Sequence, residues 1–488
     1  MKTGAGASQI AVLILAAGRS TRMRSDLPKA LHPIAGRPML SFALEAAEAL
    51  RPAHLYVVVG PAHDALREAF PRRARFAVQP EPRGTGDAVL CCQSALEGFR
   101  GDVLILYADT PLLRGETLQR MVELKSQRGA DLVLLSAPVD VRGIVLRDRE
   151  GRVTRVVEAT DASPAELAIE ERNTGVYLVD AERLWKTLAQ VDDQNEQGEI
   201  YLTDIVELMV REGRRVEALR LDDGEEAIGV DTREQLARAA AVVRRRLLER
   251  LMADGVSIVD PANTYVDADV EIGRDTLIEP GCSIQGATCI GERVHVKPHC
   301  TIESSQLGDD VTIGPSAHLR PGTVLGRGVR IGNFVEVKNS TLGEGVKADH
   351  LSYIGDADVG AGASFGCGSI VVNYDGIAKH RTRVGERAFI GCNVNLIAPV
   401  VVADDAFVAA GSTISKAVPA EALAVARSRQ RNIEGWVRRR SKTGAKAAGR
   451  TPAKKKPSSP RKKAARGAAG KKRARAAKQP VRTPKRKR

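Results

Sequence analysis

The sequence predicts two unlike folded halves and a tail: an α/β, Rossmann-like domain, a parallel β-helix, and a terminal segment too basic to bury a core. Three observations carry this. Short apolar runs alternate with helical spacing from Ile10 to Leu135. Between Ile272 and Ile414 an aliphatic residue recurs at every sixth position in three successive runs. From Val437 to Arg488 there are 23 Lys and Arg and no Asp or Glu, which leaves 51 bases against 60 acids, a net −9, in the rest of a chain of net charge +14.

Ile10 to Leu15 is an uninterrupted apolar run, as a strand buried on both faces requires. Ala16-Ala17-Gly18 then lets the backbone turn sharply and approach a ligand. Arg19, Arg22 and Lys29 follow, and exposed amides beside cations make a cradle suited to a polyphosphate. Alone, the same residues also fit an ordinary strand-to-helix turn with solvated bases. Beyond them the spacing predicts helix 39–50, strands 55–59 and 75–78, helix 88–96, strand 103–106, helix 117–125 and strand 132–135. Such alternation predicts a parallel sheet with helices on both faces and ligands beyond the carboxyl ends of the strands. Gln79 to Thr85 (QPEPRGT), Tyr107-Ala108-Asp109 and Asp231 in GVDT fall at those ends. Asp109 and Asp231 suit magnesium, which takes one or two carboxylates and completes its shell with phosphates and water.

From Thr232 to Leu251 the composition predicts one long helix without Gly or Pro. Past Gly255, Ile272, Ile278, Ile284, Ile290, Val296 and Ile302 are spaced by six, then Ile313, Leu319, Leu325, Ile331 and Val337, then Val384, Ile390, Leu396, Val402, Val408 and Ile414. Glycine often follows, as in Ile290-Gly291 and Ile331-Gly332, so inward aliphatic residues stack while small residues allow the corners. Between about Gly343 and Arg383 the repeat lapses, which predicts loops where polar residues gather. The expected divisions are 1–231, 232–254, 255–436 and 437–488.

Seven cysteines, Cys91, Cys92, Cys282, Cys289, Cys300, Cys367 and Cys392, show no metal-binding spacing and suit reduced thiols in a cytoplasm. The apolar run after Lys2 is too short for a signal peptide, and no later run approaches a membrane span.

LAAGRSTRM with Pro28-Lys29, Gln79 through Gly84-Thr85, Tyr107-Ala108-Asp109, Glu158, Asn173-Thr174-Gly175 and GEIYLTDIV occur in order. Residues 10 to 232 thereby resemble the sugar-1-phosphate nucleotidyltransferases. The specific likeness is to the first half of the bifunctional uridyltransferase/acetyltransferases that make UDP-N-acetylglucosamine. LRPG at Leu319, NFVEVK at Asn333, KADHLSYIGD at Lys347, NYDG at Asn373 and AVAR ending at Arg427 extend the resemblance to the second half, and it runs to Trp436.

The resemblance implies a left-handed coil, a homotrimer, and two sites. At the first, Leu15, Ala16, Ala17, Gly18, Gln79, Gly84, Thr85 and Tyr107 hold the uridine nucleotide of UTP, Arg22 and Lys29 meet phosphates, and Asp109 with Asp231 holds Mg2+. Gly143, Glu158 and Asn173 hold N-acetylglucosamine-1-phosphate. At the second, His350 is the base, and Arg320, Lys338 and Tyr353 bind glucosamine-1-phosphate; that Glu336 orients His350 is a separate expectation. Ser364, Asn373 and Tyr374 face the sugar or acetyl group, and Cys367, Cys392, Ala410 and Arg427 line an acetyl-CoA groove. Departures from the family pattern are Ser20 for a glycine, Asp231 for an asparagine, Ser364 for an asparagine, Cys367 for an alanine and Cys392 for a serine; of these, Cys392 is expected to be a small buried residue. Acetyl transfer is expected to be retained in this altered pocket. A second reading keeps uridyl transfer alone, with the β-helix as trimer scaffold. A third makes the chain mainly a nucleic-acid-bound structural protein. The basic tail is expected to be disordered, and either to hold nucleic acid or another polyanion through counterion release or to remain solvated.

Overall fold

The computed structural model describes residues 9–18, 21–139, 143–195 and 197–440. The chain divides into two units, Met1–Arg427 and Ser428–Arg488. Arg19 and Ser20 lie outside the described residues, as does the expected disordered segment from residue 441 onward.

The first part of the larger unit is built on a nine-stranded sheet. In chain order its elements are β1 (Ile10–Leu15), α1 (Leu40–Glu48), β2 (His54–Val59), α2 (Asp64–Ala69), β3 (Arg75–Val78), α3 (Thr85–Leu90), β4 (Asp102–Tyr107), α4 (Gly115–Arg128) and β5 (Leu132–Pro138). There follow β6 (Gly143–Arg147), β7 (Val153–Glu158), β8 (Glu171–Asp180), α5 (Ala181–Leu188), α6 (Asp204–Arg211), β9 (Val216–Arg220) and α7 (Arg233–Ala253). The main strand order is β9-β5-β8-β4-β1-β2-β3. Side chains of β1 alternate between two cores: Val12 and Ile14 pack with Leu40, Leu44 and Leu118, and Leu13 packs with Val58, Leu184 and Ile205. Helices therefore cover both faces, as expected.

The sheet is mixed, not all-parallel. β8 runs antiparallel between β4 and β5. After β5 the chain makes the antiparallel pair β6–β7 and re-enters beside it without a crossover helix, so it must run the opposite way. The expected helix 88–96 is shorter, α3 followed by a turn of 3-10 helix at Ser94–Leu96, and the long helix is α7, capped by Thr232.

Beyond α7 three parallel sheets of ten, nine and eight short strands wind into a β-helix. Ile278 pairs with Val296, Val296 with Ile313 and Ile313 with Ile331, so one coil takes about three hexapeptides. Glycines stack at one corner because a Cβ on Gly291, Gly326 or Gly360 would come within 2.9 Å of the next coil. The expected lapse is not a break in the coil. Leu342, Ala348, Ile354, Val359, Phe365 and Val371 remain buried, and only the segment after Val371 departs before Thr382–Val384 resumes. Five-residue steps to Leu342 and Val359, with alanine at 348, hid the period. Leu248 and Leu251 of α7 join the β-helix core and close its first coil.

Candidate active sites

A cleft of about 750 Å3 opens beyond the carboxyl ends of β1, β3 and β4. The turn after β1 is laid between its neighbours: Ala16 N donates to Val58 O at 2.8 Å, and Ala108 N to Leu15 O at 3.0 Å. Leu15, Ala16, Ala17, Gly18, Arg22, Lys29, Gln79, Gly84, Thr85, Tyr107, Asp109 and Asp231 all line this cleft.

Its charges converge on one point. The Lys29 ammonium donates to Asp109 Oδ2 at 2.5 Å and to Asp231 Oδ1 at 2.8 Å, and Arg22 reaches the same Asp231 oxygen at 2.9 Å. Burial opposes the Lys29 charge, but the two carboxylates outweigh it and hold its pKa above the ordinary lysine value. The two aspartates share one cation here, so hard oxygen donors from the turn after β4 and from the residue before the α7 cap fit a divalent ion with open positions; Asp231 ends no strand, contrary to expectation, because the chain reaches it through a 3-10 turn at Glu225–Ala227 and coil. Among the described residues no cluster of three or more His, Cys, Asp or Glu offers a denser metal site.

Gln79 is buried and donates to Gly84 O at 3.0 Å and Asp87 Oδ2 at 2.8 Å. Gly84 has φ +111, and a Cβ there would stand 2.5 Å from Ile200 O, so the start of α3 lies directly on the 198–204 segment. Thr85 Oγ1 accepts from Leu202 N at 3.1 Å. Gly143, Glu158 and Asn173 lie outside the cleft lining but fall in one row, Gly143 pairing with Asn173 on one side and Glu158 on the other. Asn173 Nδ2 donates to the buried Tyr177 hydroxyl at 2.6 Å. Tyr107 joins row and cleft: its ring abuts Gly175, where a Cβ would come within 2.5 Å, and burial, then Asp109 and Glu158, push its phenol well up.

Two further residues carry no sequence assignment. Asp204, at the start of α6, is pushed up to about 6 by burial and then by Glu207, Asp192 and Asp161. Gln235 lines the cleft and accepts from the amides of Asp231 and Thr232.

On the β-helix, Asn333 pairs with His350 on adjacent coils, and Cys367, Cys392 and Ala410 stand two residues after the paired inward residues Phe365, Ile390 and Val408. His350, Cys367, Cys392 and Ala410 thus share one column, and Arg427 lies against its end, its Cδ 3.9 Å from where a Cβ on Gly411 would be. His350 is exposed. Its Nδ1 meets Asn333 Oδ1 at 2.7 Å, whereas Glu336 takes Arg320 at 2.8 Å. The expectation that Glu336 orients His350 is therefore corrected: Glu336 starts the next strand and faces Arg320 across the coil. Lys338 stands 4.0 Å from Asp356, and Lys379, then burial, lower its pKa. Burial works against the Asp356 carboxylate, yet Asn339, Asn373 and Lys338 hold it below the ordinary range. Asn373 also donates to Tyr353 at 3.4 Å, so Arg320, Lys338, Tyr353 and Asn373 form one cluster. Tyr374 instead donates to Gly376 O within its own loop, and Ser364 sits outward between Lys347 and Phe389.

Residues 12–205 match the model of the MobA-like NTP transferase domain, and residues 250–342 that of the GMPPB C-terminal domain. The chain is 47% identical over 457 residues to the bifunctional protein GlmU of Pelobacter propionicus, covering 89% of this chain and 99% of that protein. Identity to the bifunctional protein GlmU of Caldanaerobacter subterraneus is 44% over 455 residues, with the same coverage. The chain belongs to the GlmU family. As a GlmU-family chain it is a bifunctional enzyme, a nucleotidyltransferase joined to an acetyltransferase. The expectation for Cys392 is corrected: it is exposed, not a small buried residue, and Cys367 is half-buried. Among the described residues no helix is long and apolar enough to cross a membrane.

Proposed function

We propose that this chain acetylates glucosamine-1-phosphate with acetyl-CoA and then transfers UMP from UTP to the resulting N-acetylglucosamine-1-phosphate, releasing pyrophosphate. The observation that carries it is the meeting of Lys29, Arg22, Asp109 and Asp231 at one point of a strand-end cleft. In uridyl transfer an ionised phosphate oxygen of the sugar attacks the α-phosphorus of UTP, and the bond to the β-phosphate oxygen breaks. No base is required, so positioning and charge neutralisation carry the rate. Mg2+ held by Asp109 and Asp231 supplies part of that neutralisation. Arg22 and Lys29 contact the phosphates, Gln79, Gly84 and Thr85 bound the nucleotide, and Gly143, Glu158 and Asn173 hold the amino sugar.

In acetyl transfer the nucleophile is an amine, which must lose a proton to become an amide. With Nδ1–H donated to Asn333, His350 presents the Nε2 lone pair as base. Arg320 and Lys338 clamp the sugar phosphate beside Tyr353 and Asn373, and the column of Cys367, Cys392, Ala410 and Arg427 bounds the acetyl-CoA groove. The active form is a cytoplasmic homotrimer, and the basic segment 437–488 adds salt-dependent attachment to a polyanion such as DNA.

The test is purified protein given glucosamine-1-phosphate, acetyl-CoA, UTP and Mg2+. UDP-N-acetylglucosamine and free CoA are expected, and His350→Ala should cut CoA release by about 100-fold or more. UDP-N-acetylglucosamine formed only from pre-acetylated sugar would reduce the protein to a uridyltransferase. For the tail, equal DNA retention at low salt by the full chain and by a chain ending at Trp436 would remove that role.

A further inference from the structure

Asp231 ends no strand, since β9 closes at Arg220. It is the residue before Thr232, the N-cap of α7, and three donor–acceptor pairs fix that helix start. Gln235 N donates to Thr232 Oγ1 at 3.2 Å, and Gln235 Oε1 accepts from Thr232 N at 3.0 Å, a reciprocal capping box. The same Oε1 also accepts from Asp231 N at 2.8 Å, one residue beyond what a capping box requires. Asp231 presents its carboxylate to Lys29 and Arg22. On the other flank of this turn, Arg233 Nε donates to Met23 O at 3.3 Å, next to Arg22. Val230 N donates to Asp109 O at 2.8 Å, so the backbones bearing the two carboxylates are tied together as well.

We propose that Gln235 is a positioning residue for uridyl transfer: its side-chain carbonyl holds the Asp231 amide and so sets where the Asp231 carboxylate meets Asp109, Lys29 and Arg22. This rests on the uridyltransferase reading above. Gln235 acts through Asp231 and takes no proton. An ordinary helix cap would contribute to stability alone; the added bond to Asp231 N links the cap to the metal-binding carboxylate.

The experiment uses the full chain as wild type, Gln235→Ala and Gln235→Glu, the last keeping an oxygen acceptor for both amides. Uridyl transfer is measured against Mg2+ concentration with saturating UTP and sugar phosphate, and acetyl transfer is measured on the same samples. Gln235→Ala is expected to lower the uridyl rate or apparent Mg2+ affinity by about 10–100-fold, as loss of a group supporting a metal ligand does. Acetyl transfer should stay within about 2-fold of wild type, and Gln235→Glu should recover most of the Mg2+ response. A wild-type Mg2+ profile in Gln235→Ala, or equal loss of both activities, would overturn the assignment. If Gln235→Ala fails to fold, a Gln235→Glu profile displaced as far as that of an Asp231→Ala variant would overturn it too. Wild-type protein inactive in uridyl transfer would overturn the parent reading, and this inference with it.

Discussion

Asn333 Oδ1 stands 2.7 Å from Nδ1 of His350, one coil below it in the same column. A carboxylate in that place would stabilise the imidazolium; an amide oxygen fixes the tautomer without adding charge. Asn333→Ala should therefore lower acetyl transfer about 10–100-fold through kcat, with uridyl transfer unchanged. Glu336→Gln frees Arg320 and should act mainly on KM for the sugar phosphate. Steady-state kinetics of the two variants decide it, and a larger kcat loss in Glu336→Gln would return the orienting role to Glu336.

Lys29 sits between two carboxylates with its side chain only 16% exposed. Lys29→Met leaves Asp109 and Asp231 facing each other with Arg22 alone as counter-charge. Without divalent ions the variant should lose about 1–3 kcal/mol of stability, since an unpaired, partly buried charge is costly. Added Mg2+ should restore much of the loss while uridyl transfer stays low. Thermal melts with EDTA and with Mg2+ measure this, and a melting temperature indifferent to Mg2+ in Lys29→Met would argue against a shared cation at these two carboxylates.

The parts of the molecule with a strict period were legible in the sequence. Ile10–Leu15 reads as a two-face buried strand because every residue is apolar, and Ile278, Val296 and Ile313 read as one inward stack. β8 was illegible because its direction is set by the β6–β7 excursion, not by its own residues. Charge in the sequence favours Glu336 over Asn333, while column register, which decides the contact, depends on where each corner falls. Asp356 lies inside the KADHLSYIGD stretch, but its partners Asn339, Asn373 and Lys338 are brought to it only by the fold. Gln235 had a local signal, Thr232 followed by Gln235 at capping-box spacing, but its second bond to Asp231 belongs to the fold.

Asp204 gives a pH signature. Its folded-state pKa of about 6 exceeds the unfolded value of 3.8, because burial and then Glu207, Asp192 and Asp161 penalise the carboxylate. The folded chain therefore binds this proton more tightly, so the contribution to stability is present at acid pH and is lost as pH rises from about 4 through about 6. Asn has no charge to bury. Asp204→Asn should accordingly gain about 1–2 kcal/mol at pH 7.5, after allowance for solvent screening of a half-buried group, and the gain should shrink to about a third of that at pH 4.5. Urea titrations of both proteins at the two pH values measure the difference. An Asp204→Asn gain equal at both would mean that hydrogen bonding or packing, not ionisation, sets the cost of Asp204.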